Sequence, residues 1–305
     1  MYDVIIIGAG PAGLTAAIYA SREKLETLIL EKAMCGGLAT TTEMIENYPG
    51  FPDGISGLEL MGRFKAQAER FGARINETEA VESISGGDGK IKVKTGKTEH
   101  IGRSVIVASG NIPKELGVPG EKRLMGKGVS YCATCDGPLY RGKDVAIIGC
   151  GNSGLQEGES LLRYVKSVNF IEFLPYMTAS KILQERLQRL DKTTFLLNTA
   201  VTSINGDAKV ESITVRDRSS ARVKDITVSG VFIYAGYLPN TDFLKGSLRL
   251  DERGYIVTDT HMRTSMAGVF AAGDVIYKSI RQVDTACGDG TIAALSALEY
   301  IKGLK

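Results

Sequence analysis

Short, continuous runs of apolar residues punctuate this chain at 4–7, 28–30, 105–107, 145–148, 231–233 and 269–272, and 27–30 and 167–171, with Thr27, Ser167 and Asn169 as their polar residues, read as strands of the same kind. Runs of this kind predict strands buried on both faces of a parallel sheet, where neither side needs a polar residue. Between them the period changes. Residues 14–20 read as helix, and 57–71 place Leu58, Leu60, Met61, Phe64, Ala68 and Phe71 at amphipathic-helix spacing. Helix is also predicted after Gly154 through Tyr164, and over 281–301 with Gly288-Asp289-Gly290 near its start. Three short strands are expected over 80–107, with Gly86-Gly87-Asp88-Gly89 as a hairpin tip, and a further strand set precedes Gly230. The stretch 35–51 has the Pro and Gly of a loop, and Asn47 in it can donate to and accept from a flat heterocycle.

Strand, glycine-rich turn, helix and strand follow one another twice. Gly8-Ala9-Gly10-Pro11-Ala12-Gly13 comes straight after the first run, and the second strand ends on Glu31. In a GxGxxG turn the glycines permit a tight turn, close approach of a pyrophosphate and close helix packing. The helix N-terminus binds the negative charge, and the acid about 20 residues on takes ribose hydroxyls. A second unit opens at 144–154, with Gly149, Gly151 and Gly154. The fold class expected is α/β: two Rossmann-like dinucleotide-binding domains of the three-layer ββα type, the second inserted in the first. Crossovers at 105–113 and 230–240 place the discontinuous first domain at 1–115 and 241–305 and the inserted domain at 116–240.

Composition narrows the reading only a little. A chain of 305 residues, 43% hydrophobic and 24% charged, suits two soluble globular domains. A net charge of +2 gives no reason to expect nucleic acid or a membrane surface as partner. No run approaches the ~18 apolar residues of a membrane span. The chain enters its first strand without a secretory leader, so a cytoplasmic location is expected.

The chemistry centres on Tyr131-Cys132-Ala133-Thr134-Cys135-Asp136. Two thiols in a CxxC can close into a disulfide and reopen, or can form half of a zinc site. A zinc site needs a second pair. Cys35, Cys150 and Cys287 are isolated, and the two histidines, His100 and His261, lie in stretches that read as surface turns. A redox dithiol with no metal is therefore the stronger reading. The three isolated cysteines are assigned to packing.

Taken in order, Gly8 to Gly13, Glu46-Asn47-Tyr48-Pro49-Gly50, Ala108-Ser109-Gly110, Cys132 to Asp136, the second glycine motif, Ala271-Ala272-Gly273-Asp274-Val275 and Arg281-Gln282 resemble the low-molecular-weight thioredoxin reductase family over essentially the whole chain. The resemblance implies FAD in the first domain, held by Gly8, Gly10, Pro11, Ala12, Glu31, Lys32, Gly37, Leu38, Asn47, Ala108, Gly110, Gly273, Asp274, Arg281 and Gln282. Asp274 would meet the ribityl chain, and Arg281 and Gln282 would lie near the isoalloxazine. It also implies that Cys135 faces the flavin, that Cys132 attacks thioredoxin or a similar protein, that Asp136 protonates the leaving thiolate, and that the protein is a homodimer. Read from the residues alone, Asp136 is a proton handler or a helix cap.

One stretch departs from the family. Where members that use NADPH have His-Arg-Arg at the end of the inserted domain's second strand, this chain has Glu172-Phe173-Leu174, with no Arg from Pro175 to Lys181. A 2′-phosphate needs cationic partners, whereas an acid suits a free 2′-hydroxyl. Two readings stay open: NADH replaces NADPH, or the site is vestigial and filled by Phe173 and Leu174. The run 168–175 is more similar to ferredoxin-dependent flavin thioredoxin reductases and an archaeal type that does not use NADPH. Reduced ferredoxin is then the favoured donor, with a deazaflavin second. A flavin dithiol oxidase and a non-enzymatic flavin redox sensor are the other readings of the same motifs.

Overall fold

The computed structural model describes residues 1–87 and 89–304; Asp88, at the tip of the expected hairpin, and Lys305 lie outside the described residues. The chain forms two compact units. One comprises Met1–Thr40, Ile45–Ile112 and the chain from Leu238; the other comprises Pro113–Tyr237 and Thr41–Met44. Both are built on parallel sheets with helical crossovers, the α/β class that the apolar runs predict.

In the first unit the sheet order is Arg74–Asn76, Thr27–Leu30, Tyr2–Ile7, Glu99–Val107, Lys90–Thr95 and Val81–Gly87, and Val269–Ala271 also pairs with Glu99–Val107. The long strand serves twice. Its first half pairs antiparallel with Lys90–Thr95, and its second half runs parallel between Tyr2–Ile7 and Val269–Ala271, with Ile5 opposite Val105 and Phe270 opposite Ile106. Ile5, Ile6, Ile29, Val105 and Ile106 are wholly buried, which is why these strands tolerate no polar alternation. Helices Pro11–Arg22 and Val283–Gly303 cross at close range: a Cβ on Gly290 would stand 2.3 Å from the Ala12 carbonyl oxygen. Ala16, Ala17, Ala293, Ala294 and Ala297 of these two helices are buried.

The second unit repeats the plan. Thr193–Leu196, Ser167–Ile171, Asp144–Ile148, Gly230–Ile233 and Val129–Ser130 lie side by side, all parallel. Thr199–Asn205, Ser212–Asp217 and Val223–Thr227 form a separate antiparallel sheet.

Three local expectations are corrected. Helix Gly57–Arg70 buries Leu60, Met61 and Ala68 but leaves Leu58 exposed, because Leu58 sits in the first turn on the far side of the stripe. The helix after Gly154 ends at Leu161, not Tyr164. His100 is not in a surface turn. It lies in strand Glu99–Val107 with Nε2 2.7 Å from Glu79, so the chain does hold a His–Glu pair. Glu79 also accepts from Thr95 and Asn76, and these bonds hold its carboxylate below the usual range. The pair ties the hairpin to the parallel sheet.

Candidate active site

The first glycine loop is dictated by close approach. Gly8 has φ +103°, and a Cβ there would be 2.3 Å from the Ala108 carbonyl oxygen. A Cβ on Gly13 would be 1.9 Å from the Gly8 carbonyl oxygen, so the helix can seat on the turn only without a side chain. Gly10 is different: a Cβ there would meet nothing within 4 Å. Gly10 is also the N-cap of helix Pro11–Arg22, and no side chain caps it. First-turn N–H groups beneath open space are what an anionic group requires.

Other residues singled out above gather here. A Cβ on Gly37 would be 3.3 Å from Gly10 Cα, and one on Gly273 would be 2.8 Å from Ala12 Cβ. Glu31 is buried at the strand end, and its carboxylate accepts from the N–H of Ala9 at 2.8 Å and of Ala33 at 2.9 Å. Asn47 donates to Gln282 Oε1 at 3.0 Å, and Gln282 caps the last helix. Arg281 lies over the Tyr255 ring, its Nε 3.5 Å from the Asp274 carbonyl oxygen. Asp274 is the residue that lacks something. Its Oδ1 is buried without a hydrogen-bond partner, 3.8 Å from Lys278 Nζ, and burial raises its carboxyl against the pull of Lys278 and Arg281. Lys32 is exposed on the following loop and Leu38 on the short 3-10 helix Gly37–Thr41, and the Gly110 carbonyl accepts from Asn240 N–H at the crossover.

In the other unit, Cys132 and Cys135 form a disulfide with Cα atoms 5.3 Å apart. Cys132 is the N-cap of the short helix Ala133–Asp136, and its Sγ accepts from Cys135 N–H at 3.2 Å. Ser130 Oγ accepts from Cys132 N–H, and the Tyr234 hydroxyl accepts from Ala133 N–H at 2.9 Å. Asp136 ends that helix and stands at the N-cap position of the next turn, with no capping hydrogen bond from its side chain. The free cysteines are poor nucleophiles here. Burial, with Glu77 for Cys35 and Glu172 for Cys150, pushes both thiols up to about 12, and burial also raises Cys287.

The second glycine loop copies the first almost contact for contact. A Cβ on Gly149 would be 2.2 Å from the Tyr234 carbonyl oxygen, and one on Gly154 would be 2.0 Å from that of Gly149. Glu172 accepts from Cys150 N–H at 2.7 Å and Leu174 N–H at 2.9 Å, as Glu31 does from Ala9 and Ala33. Two things differ. Thr178 Oγ1 lies 3.5 Å from where a Cβ on Gly151 would stand, with the N–H groups of Thr178 and Ala179 on the Cys150 carbonyl and that of Ser180 on Asn152 Oδ1. And Phe173 does not fill the space expected for it above: it is exposed, in the bend two residues beyond the strand that ends at Ile171.

A cation that no nearby sequence pattern signals also stands here. Arg218, from the turn after strand Ser212–Asp217, stacks over Phe173 at 3.8 Å and donates to the Phe173 carbonyl at 2.9 Å and to Asn198 Oδ1 at 3.3 Å. No linear motif links residues 45 positions apart.

Comparison with known proteins agrees with this geometry. Residues 2–290 match the pyridine nucleotide-disulphide oxidoreductase family. The chain is 43% identical to a thioredoxin reductase of Mycolicibacterium smegmatis, over 99% of this chain and 97% of that one. Among solved structures it is similar to Lactococcus lactis thioredoxin reductase in its FR conformation, with TM-score 0.97, 37% identity, and 99% and 100% of the two chains covered. It is also similar to the T. acidophilum thioredoxin reductase, with TM-score 0.95, 42% identity, and 100% and 99% covered. The chain belongs to the pyridine nucleotide-disulphide oxidoreductase family and is an FAD-dependent disulfide oxidoreductase of the thioredoxin reductase type.

Proposed function

We propose that this enzyme reduces the disulfide of thioredoxin or a similar small dithiol protein, and that its electrons come from a donor other than NADPH, reduced ferredoxin being the first candidate. The observation that carries the donor reading is Glu172. A carboxylate anchored by two backbone N–H groups stands where a 2′-phosphate would need cations, and Arg218 nearby is committed to Phe173 and Asn198. NADH is the second reading, because Glu172 repeats the geometry of Glu31 and so suits ribose hydroxyls.

The residues of the first unit fit FAD. The open face at Gly10, the uncapped helix start and the orphaned Asp274 Oδ1 each leave room or hydrogen-bonding capacity for a dinucleotide. Gly8, Gly10, Pro11, Ala12, Gly37 and Leu38 would hold its phosphates and Glu31 and Lys32 its adenosine half. Gly273 and Asp274 would hold the ribityl chain, and Asn47, Ala108, Gly110, Arg281 and Gln282 the ring region. Bound FAD supplies a two-electron carrier. The reduced dithiol then acts by thiol–disulfide exchange: the Cys132 thiolate attacks one sulfur of the substrate disulfide, the other sulfur leaves and Asp136 protonates it. Cys135 next displaces the substrate, so that the Cys132–Cys135 disulfide re-forms as the substrate becomes a dithiol. Residues 1–115 and 241–305, less the segment Thr41–Met44 that belongs to the other unit, would be the FAD domain, and 116–240 with that segment the dithiol domain of a homodimer.

Anaerobic titration of the oxidised flavin tests the donor, with NADPH, NADH, reduced ferredoxin and a reduced deazaflavin in turn. Bleaching by ferredoxin and not by NADPH is expected; rapid bleaching by micromolar NADPH would overturn the reading. Oxygen uptake with a small dithiol, or slow turnover with every protein disulfide offered, would favour an oxidase or a sensor instead.

A further inference from the structure

Glu157 lies in helix Asn152–Leu161, almost wholly buried, and is used by none of the steps above. Its Oε2 is 3.0 Å from Thr134 Oγ1, inside the CxxC. The same Thr134 oxygen is 2.6 Å from the carbonyl oxygen of Thr41, in the short segment Thr41–Met44 that belongs to the dithiol unit. A threonine hydroxyl has one proton and a carbonyl has none. If Thr134 gives its proton to Thr41, its contact with Glu157 is a hydrogen bond only when Glu157 supplies the proton. Both contacts are satisfied together only with a neutral acid at 157.

We propose that Glu157 is a positioning residue for the dithiol. As the neutral acid it donates to Thr134, leaving the Thr134 hydroxyl proton to hold segment 41–44 on the helix that carries Cys135; as the carboxylate it takes that proton and loosens the segment.

The surroundings agree. Burial raises the Glu157 carboxyl to about 7, opposed by its bonds from Thr134 and reinforced by the Glu43 carboxylate. Glu43 faces it from the segment itself, with one oxygen on Arg163 and the other buried without a partner. Tyr234, whose hydroxyl meets Ala133 N–H, faces it from beyond strand Gly230–Ile233, and the Glu157 and Asp136 charges both act on that hydroxyl. A folded-state value above that of the unfolded chain means that the grip is complete at low pH and is lost as pH rises through about 7.

The inference rests on the disulfide-reductase reading only for its link to turnover, so its test is made on the oxidised holoenzyme without substrate. Hydrogen exchange of the 41–44 amides, corrected for intrinsic rates, is followed from pH 6 to 8.5. Protection should fall about threefold to tenfold with a midpoint near 7, as one net hydrogen bond implies. Glu157→Gln, which donates at every pH, should hold the segment protected and flat; Thr134→Val should leave it loose and flat. A flat wild-type profile, or an inflection that survives in Glu157→Gln, overturns the proposal. Should Glu157→Gln not fold, Glu43→Gln must move the midpoint to lower pH by removing the like charge, and an unmoved midpoint overturns it equally. A protein with these exchange profiles but no activity on thioredoxin would remove the substrate reading and leave Glu157's role standing.

Discussion

Replacing Phe173 and Leu174 by arginine, with Glu172 kept, should create affinity for a 2′-phosphate. The choice follows from the hydrogen bonds. Glu172 is the acceptor for the buried N–H of Cys150 and the N–H of Leu174, and removing it would strand both at about 1–3 kcal/mol each. A replacement of all three residues would therefore confuse lost folding with gained binding. Leu174 takes part through its backbone, which any side chain preserves. Two charge-assisted bonds to phosphate are worth about 1.5–3 kcal/mol each when well formed. Position 173 is 55% exposed, so water and the neighbouring Glu172 carboxylate reduce that to about 1 kcal/mol for each arginine. The double variant should thus bind NADP⁺ about tenfold to thirtyfold more tightly than wild type, with NAD⁺ affinity changed less than about threefold. Calorimetric titration of the FAD-loaded protein with each nucleotide reads both numbers without needing turnover. Unchanged NADP⁺ affinity in a folded double variant would refute the claim that these side chains exclude the phosphate. Micromolar NADP⁺ binding by the wild type would refute it sooner.

The purified protein should be yellow with releasable FAD, and Asp274→Ala should weaken FAD by at least about tenfold, the value of one charge-assisted bond; flavin retention after gel filtration measures both. Gly8→Ala should abolish flavin loading or folding, since a Cβ meets backbone at 2.3 Å on a φ of +103°, and a soluble, fully yellow Gly8→Ala protein would contradict that contact. Cys132→Ser should leave the flavin reducible by its donor while abolishing thioredoxin reduction, and Cys135→Ser should also abolish turnover; full activity in either would mean that the dithiol is not the relay. Sedimentation should give the mass of a dimer, and a mass near 32.7 kDa would count against it.

Both glycine loops were legible from the chain because their spacing and their strand–helix–strand setting are local, although the backbone that closes on Gly8 and Gly149 comes from Ala108 and Tyr234. Gly8, Gly13 and Glu31 meet within one strand–helix–strand unit, and the wholly apolar strands beside them admit one environment, burial on both faces. The CxxC was legible for the same reason: three residues of spacing suffice to bring two sulfurs together. What the chain could not disclose lies across long separations. Arg218 reaches Phe173 because an antiparallel hairpin of a particular register ends there, and no pattern near 172–181 contains that cation. His100 reads as a turn beside Gly102, yet the strand runs through it to pair with Glu79 across the sheet. Phe173 and Leu174 looked like a plug in one dimension; the bend after the strand leaves Phe173 exposed, and Thr178 approaches Gly151 in its place. The proton count at Thr134 depends on a carbonyl 93 residues away and a carboxyl 23 residues away. Side-chain type sets what each group can donate or accept, but only packing decides which groups share one hydrogen atom.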